Sequence, residues 1–506
     1  MEERIAIRVQ EWEGLNSRDS DLAIRPGQAT SLQNVEFYRD GWRTRNGYSK
    51  KNSTSLGAVA ITGLFDGWND VLAYHGTTLG EWNGTTFADI NTGLTSGAVP
   101  RFTSYNALDL MVNGNANDNP KKWDGTTFAD LGGSPPKADD ICVWRNHVWL
   151  SGLASPNQGE VRYSKIEDPE TWDSGGFLRP SKRSKGHDII AAQPLPYPGE
   201  EDGTRLVVFG SDAIFHFDGF TKSLFQVYTI KPRIGCISAR SIVSAEDFGY
   251  WVDEDGIYCS PDGGQTINQI SWDIQPTFEA LNKSRLNLCA GVHLRYKRQI
   301  YWSFSDTTSA YHNKLLVYNY GLSTPMTPSQ QGGRHVWSVY TGINLMAMTE
   351  VLSSNQFTVW GGEANSATGG FVYQLDSGTS DAGTAISWKL KTKRFLLGDS
   401  WSVYSVLRKL TAVHDSLNGT MSVRLFVNAG SASVESQTLS LTGGGGVFGQ
   451  AVFGTDVWGG ASAIPNEAWY NRVVRAVQFE FSGSDLDKLI RFYEITIEAI
   501  AKRGSR

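Results

Sequence analysis

The 506-residue sequence is poor in charge: Asp, Glu, Lys and Arg make up 19% of it, with no long run of either sign. Ordinary soluble domains carry about a quarter. A chain that grips phosphates displaces counterions with a basic patch, and none stands out. The densest basic stretch, Lys389-Leu-Lys-Thr-Lys-Arg394, alternates as the charged face of a strand does. Cysteine is scarce as well. Cys142, Cys236, Cys259 and Cys289 form no CxxC pair, which argues against a zinc or redox motif and leaves buried reduced thiols as the expectation. No apolar run approaches the roughly 18 residues of a membrane-spanning helix, so no membrane span is expected. The opening Met1-Glu-Glu-Arg-Ile5 has no basic region followed by an apolar one, so no signal peptide is expected and synthesis is expected to leave the protein soluble in the cytoplasm. Helical periodicity is nearly absent, apart from a short segment at 276–283 with Pro276 at an early helical position.

What is abundant points to β-structure. Aromatic residues reach 12%, including 17 Trp, and there are 54 Gly. Aromatics favour strands, and Gly supplies the positive-φ positions of tight turns. Apolar residues at 40% suffice for a core, and the length suits two or three domains or one large β unit with attachments. The net charge of −6 is unevenly spread: residues 51–384 carry 24 basic against 34 acidic side chains, whereas 385–506 carry 14 against 10.

The strongest internal signal is a repeat. Residues 82–89 read Trp-Asn-Gly-Thr-Thr-Phe-Ala-Asp and residues 123–130 read Trp-Asp-Gly-Thr-Thr-Phe-Ala-Asp. Asn-Gly and Asp-Gly suit a type I′ hairpin turn, with Gly84 and Gly125 at positive φ. Trp82 then faces Phe87, and Trp123 faces Phe128, across two short strands. Units of this kind, spaced by 40-odd residues, mark a β-propeller. Further strand-turn-strand patterns occur at 141–150, 206–219, 248–259, 294–304 and 357–373, giving six or seven units between about 55 and 380. Ser260-Pro-Asp262-Gly-Gly264-Gln-Thr266 fits an Asp box, in which the Ser, Asp and Thr close a hairpin loop as scaffold and not as catalysts.

Beyond residue 384 the strand patterns lengthen, at 386–390, 407–414, 420–427, 473–481 and 490–500. The expected organisation is an all-β chain: an N-terminal extended segment at 1–54 packing on the later domains, a six- or seven-bladed propeller at 55–384, and a β-sandwich at 385–506. A glycine-rich loop at 443–454, with Gly443, Val447, Phe448 and Phe453, is the candidate for a mobile contact loop.

No catalytic, cofactor-binding or metal constellation is legible. The eight His show no HExxH or HxH spacing. His147 and His216 sit inside strand patterns, and Asp253-Glu-Asp-Gly256 reads as a turn without a calcium-loop ladder. Asp139 and Asp140 are adjacent on a strand, so they point to opposite faces and cannot act as an acid/base pair. Propeller enzymes gather carboxylates and arginines from many blades at the centre, a convergence that one sequence does not display. A glycan- or receptor-binding propeller and a propeller glycosidase therefore stay open as alternatives.

The first fifty residues carry a more specific pattern: Gly14-Leu-Asn16, Pro26-Gly-Gln28, Leu32 with Asn34-Val35, and Arg43, Arg45 and Gly47-Tyr48. In this order they resemble the opening of the tail nozzle and packaged-DNA stabilisation proteins of short-tailed bacteriophages. Tyr163-Ser164 followed by Asp168-Pro-Glu-Thr-Trp172, Gly235 with Ala239-Arg240 and Asp255-Gly-Ile-Tyr258, and Lys393-Arg-Phe-Leu-Leu-Gly398 before the glycine tract are similar to later elements of that family. The resemblance spans most of the chain. It implies a structural virion protein without enzymatic activity or cofactor, assembled in the bacterial host cytoplasm as a homo-oligomeric ring, usually six-fold. Such a ring lies below the portal–adaptor complex and serves as platform for tail fibres, spikes or a needle. It extends and closes the channel for double-stranded DNA, which passes without sequence-specific binding. An acidic or neutral wall suits that passage, because it repels phosphate.

Overall fold

Short aromatic-rich strands separated by tight turns bury a face most readily by pairing with their sequence neighbours. In the computed structural model, which describes residues 3–441 and 464–501 except 69, 115–117, 183–184, 187, 200–201, 220–223, 325–332, 354 and 416–418, they do so repeatedly. Among the described residues are seven four-stranded antiparallel sheets. The first runs in order through Ile61–Asp66, Val71–His75, Thr78–Trp82 and Phe87–Asn91. The second extends from Arg101–Tyr105 to Phe128–Asp130, the third from Ala138–Trp144 to Phe177–Leu178, and the fourth from Ile189–Pro196 to Gln226–Pro232. The fifth extends from Val243–Ala245 to Asn268–Gln269 and the sixth from Ala290–Leu294 to Trp337–Thr341. The seventh takes Leu345–Ser353, Gln356–Glu363 and Val372–Leu375, and its fourth strand is Tyr48–Lys50 from near the N-terminus.

The arrangement is propeller-like. Leu345–Ser353 of the seventh sheet packs on Ile61–Asp66 of the first, so the series returns to its beginning. Pairing of Tyr48 with Leu375 and of Lys50 with Tyr373 fastens the return by backbone hydrogen bonds. The seam is packed with aromatics: Trp82 meets Trp360 edge-on at 5.3 Å, and the Lys51 ammonium lies 4.5 Å from the Trp360 ring centre.

The repeated hairpins keep the expected facing pairs. Trp82 is registered with Phe87 and Trp123 with Phe128, and the first pair's rings are 5.2 Å apart. The turn type differs from the sequence expectation. Only Gly84 (φ +96°) and Gly125 (φ +87°) have positive φ, while Asn83 and Asp124 do not. Asn83 Oδ1 instead accepts hydrogen bonds from the amides of Thr85 and Thr86, at 3.1 and 3.0 Å, and from the Thr85 hydroxyl. Asp124 does the same with Thr126 and Thr127. These are four-residue loops closed by a side chain, which gives the recurring Thr-Thr its physical reason. Two-residue turns with both φ positive occur elsewhere, at Asn106-Ala107 and Arg145-Asn146. A Cβ built on Gly84 meets nothing within 4 Å, so substitution there tests backbone strain alone. Gly84→Val is expected to cost about 1–3 kcal/mol in chemical denaturation, because a β-branched residue resists this φ; unchanged stability would contradict the loop geometry.

Two larger sheets interleave the chain's ends. A six-stranded sheet orders Val35–Tyr38, Gly41–Thr44, Arg491–Ala501, Ser405–His414 and Ile464–Val474, with Arg4–Val9 also on Arg491–Ala501. A seven-stranded sheet orders Gly14–Leu15, Gln28–Gln33, Trp388–Thr392, Ala476–Gly483, Thr420–Val427 and Glu435–Ser440, with Phe395–Leu396 also on Ala476–Gly483. Five strands of the segment 1–54 thus enter these sheets. The run expected as one strand at 473–481 is two, ending at Val474 in one sheet and resuming at Ala476 in the other. Arg475 makes the crossing, its amide donating to Asn428 Oδ1 at 2.8 Å. The two sheets share one apolar core. At its middle, Trp42 stacks on Phe492 at 4.3 Å and meets Trp388 at 5.5 Å and Trp12 at 6.0 Å. The candidate contact loop, with Gly443, Val447, Phe448 and Phe453, lies outside the described residues.

Candidate functional site

The residues singled out in the sequence do not converge. Trp82, Gly84 and Phe87 belong to the first sheet and Trp123, Gly125 and Phe128 to the second, while Ser260, Asp262, Gly264 and Thr266 follow the third strand of the fifth. The Asp box closes on itself. Ser260 Oγ accepts from the Gly264 amide at 2.8 Å, and Asp262 Oδ1 accepts from the Thr266 amide at 2.6 Å. Its polar groups are spent on the loop, which leaves it a scaffold.

What does converge is a set of groups at the inner strands, around Arg240. A single 3-10 turn, Ala239–Ser241, lifts this side chain between sheets. Its guanidinium donates to the carbonyls of Thr62 in the first sheet and Met346 in the seventh, both at 3.0 Å, and to Leu288 before the sixth. The side chain is buried, and burial pushes its pKa down to about 9, opposed by the nearby Cys289 and assisted by the charge of Arg101. Three carbonyls thus accept from it. No carboxylate is among the hydrogen-bond partners that anchor it.

Arg101 shares two clefts with Arg240. The first, about 190 Å³, is walled by Gly63, Phe65, Phe102, Gly291 and Thr349 among others. The second, about 230 Å³, includes Asp139, Ile190, Ser238 and Asn287. Arg101 Nε donates at 3.0 Å to Asp140, which is wholly buried. Asp140 also accepts from Ser151 Oγ, the Ala192 amide and Gln193 Nε2. Asp139 and Asp140 therefore face different surroundings, as adjacent strand residues must. The Asp140 oxygens are thus engaged by donors from three strands within the fold.

A second polar cluster joins the ring of sheets to the two larger sheets. Glu36, 1% exposed, accepts from Lys297 at 2.9 Å, Arg43 at 3.3 Å, the Tyr38 hydroxyl at 2.7 Å and Gln299 at 3.0 Å. Lys297 also pairs with Asp376. Beside it, Arg45 makes a bidentate pair with Asp381 at 2.6 and 2.7 Å, and donates to Asn34 Oδ1 and the Thr341 carbonyl. Asn34 adopts a left-handed φ of 56° and caps the same strand, accepting from the Thr341 amide at 2.8 Å. Gly47 is required by approach: a Cβ there would sit 1.9 Å from the Ser380 carbonyl oxygen. These acids and bases saturate one another in a buried joint and surround no cleft among those described.

Burial alone would raise the Glu36 carboxyl, but Lys297, Arg43 and the Tyr38 hydroxyl outweigh it and hold it below the usual glutamate value. Its stabilising contribution is therefore present above the unfolded value, about 4.3, and is lost as pH falls through the folded one. Melting curves across an acid pH series should show the decline, and Glu36→Gln should flatten it. An identical slope in both proteins would remove Glu36 from the joint's energetics.

The four cysteines are free and buried. Burial pushes the thiols of Cys259 and Cys289 up to about 12, which leaves them without nucleophilic character. Among the described residues no group of three or more His, Cys, Asp or Glu could hold a metal ion, and no helix is long and apolar enough to cross a membrane. Arg45, Arg240 and Asn34 entered the sequence reading only through family resemblance. Asp140 carried no signal of its role, because its donors come from three other strands, the farthest 53 residues away.

No family model and no curated protein matches the chain. Solved structures with a similar chain course include an extracellular domain assigned to a hybrid two-component system of Bacteroides thetaiotaomicron, at 9% identity and a TM-score of 0.42, covering 67% of this chain and 41% of that one. A quinoprotein alcohol dehydrogenase-like protein of the same organism is 10% identical with a TM-score of 0.35, over 55% of this chain and 74% of that one. An ancestral GH74 enzyme is 12% identical with a TM-score of 0.38, over 70% and 52%. The chain thus spans less than half the length of the first. Likeness at this level carries no argument about function.

Proposed function

We propose that this chain is a non-enzymatic structural subunit of a bacteriophage tail, one copy of a cyclic nozzle beneath a portal–adaptor complex. In this reading residues 55–384, with the strand Tyr48–Lys50, form a seven-bladed propeller, and residues 385–506 with the N-terminal strands form a β-sandwich. The observation that supports it best is where the resemblance residues fall. Gly14-Leu15 pairs in parallel with Gln28-Ala29, so two of the motifs bind each other. Asn34, Arg45 and Gly47 fasten the sandwich to the propeller. Glu170 of the Asp-Pro-Glu-Thr-Trp element accepts from Lys122 at 2.8 Å and from the Gly132 amide, bracing the second blade against the third. Arg240 ties the first and seventh blades.

Each motif is a brace, and a rigid braced block is what a channel wall needs. Because Arg240 occupies the propeller's own centre, DNA in this account passes between copies and never through one. Fibres, spikes or a needle would dock on the outer faces. Mass photometry of the full chain, alone and mixed with a portal–adaptor complex, tests the proposal. Cyclic multiples of the 55.7 kDa chain, or capture by the complex, support it; a permanent monomer that ignores the complex overturns it. A propeller-based glycan-binding protein is the second reading, favoured by the exposed indoles of Trp68 beside the first sheet and Trp469 on the six-stranded sheet, since sugars stack on such faces. Saturable binding on a glycan array, lost in Trp68→Ala or Trp469→Ala, would select it.

A further inference from the structure

Two guanidinium groups wall the 190 Å³ cleft among the first, second, sixth and seventh sheets, and none of its walls is a carboxylate. Arg240 is 8% exposed and bonds three neutral carbonyls. Arg101 engages Asp140 through Nε only, and Nη1 and Nη2 have no partner among the described residues. Asp140 neutralises one of the two cations, and Asp139 lines only the adjoining cleft, which leaves a net positive charge in this confined space. A buried charge without a counter-charge is costly. Carbonyl dipoles offset part of that cost and leave the remainder to an anion.

We propose that this cleft is a binding site for a small tetrahedral oxyanion of the phosphate class, held between Arg101 and Arg240. Planar guanidinium forks match such an anion's paired oxygens, which suits two arginines better than two lysines. With a water occupying roughly 30 Å³, the cleft admits a phosphate with a few waters and excludes a polymer. The Gly63 and Gly291 positions leave main chain, not side chains, at the walls. The bound anion would draw four sheets together at the centre and stiffen the ring. The proposal is independent of any role in a tail.

Isothermal titration of the full chain with inorganic phosphate, at ionic strength matched by sodium chloride, provides the test. One saturable site per chain is expected, with a rise in melting temperature that follows occupancy. Thr349, half-buried on the cleft wall, takes no part in the arginine contacts. Thr349→Glu places a tethered carboxylate beside the cations and is expected to abolish phosphate binding while the chain still melts cooperatively. Arg101→Gln is expected to weaken binding by about tenfold or more. If orphaning Asp140 prevents that variant from folding, Thr349→Glu decides alone. Absence of saturable phosphate binding, an equal response to chloride, or unaltered binding by Thr349→Glu would overturn the site.

Discussion

Asp381→Ala is expected to cost about 3–5 kcal/mol, the range for removing one partner of a buried ion pair. Arg45 has a side chain only 2% exposed, and Asp381 supplies both of its bonds to a charged acceptor. Without that carboxylate the guanidinium keeps Asn34 Oδ1 and the carbonyls of Thr341 and Asn46, all neutral. The charge then stays desolvated with no counter-charge. Replacing both partners, as Arg45→Met with Asp381→Ala, removes the uncompensated charge and should recover part of the loss. Urea denaturation of the two single variants and the double variant measures the coupling. A single-variant cost below about 1 kcal/mol, typical of exposed pairs, would contradict the joint as described.

Trp42→Ala is expected to cost a further kind of stability, about 3–5 kcal/mol from lost burial and the cavity left behind. The indole is fully buried between the two larger sheets, stacked on Phe492 and flanked by Trp388 and Trp12. Trp388 and Phe492 come from segments more than 300 residues from Trp42, so no local rearrangement refills the space. Trp42→Phe keeps the stacking on Phe492 and should cost clearly less. Equal melting of both variants would mean that the N-terminal strands do not anchor the C-terminal ones.

The propeller-like half was legible because its contacts are local. Trp82 and Phe87 are five residues apart and announce their hairpin. The turn differs: Asn-Gly carries a backbone preference for type I′, while the Thr-Thr that follows marks side-chain closure by Asn83. Alternation exposed strands such as Thr420–Val427. It also hid a crossing at Arg475, since an arginine fits the polar positions of an unbroken strand. The closing strand Tyr48–Lys50 has three residues and no pattern, and its partner lies more than 300 residues away. Arg101 carries no local signal either, and Arg240 stands out only through the resemblance at Ala239-Arg240. Their meaning comes from strands of separate sheets meeting at one centre, and sequence order does not encode that meeting.

Acids and bases at the joint could have suggested a catalytic centre. Glu36, Arg43, Lys297 and Asp376 are instead fully engaged with one another and with Tyr38 and Gln299. Groups saturated in this way stiffen a structure and offer no proton or lone pair to a substrate.

The most direct test of the central claim is a cryo-electron microscopy reconstruction of the chain assembled on a portal–adaptor complex. The account predicts several copies in a closed ring around a shared lumen, each copy's own centre filled by Arg240. A lumen running through the middle of a single copy, or no ordered ring at all, would contradict it.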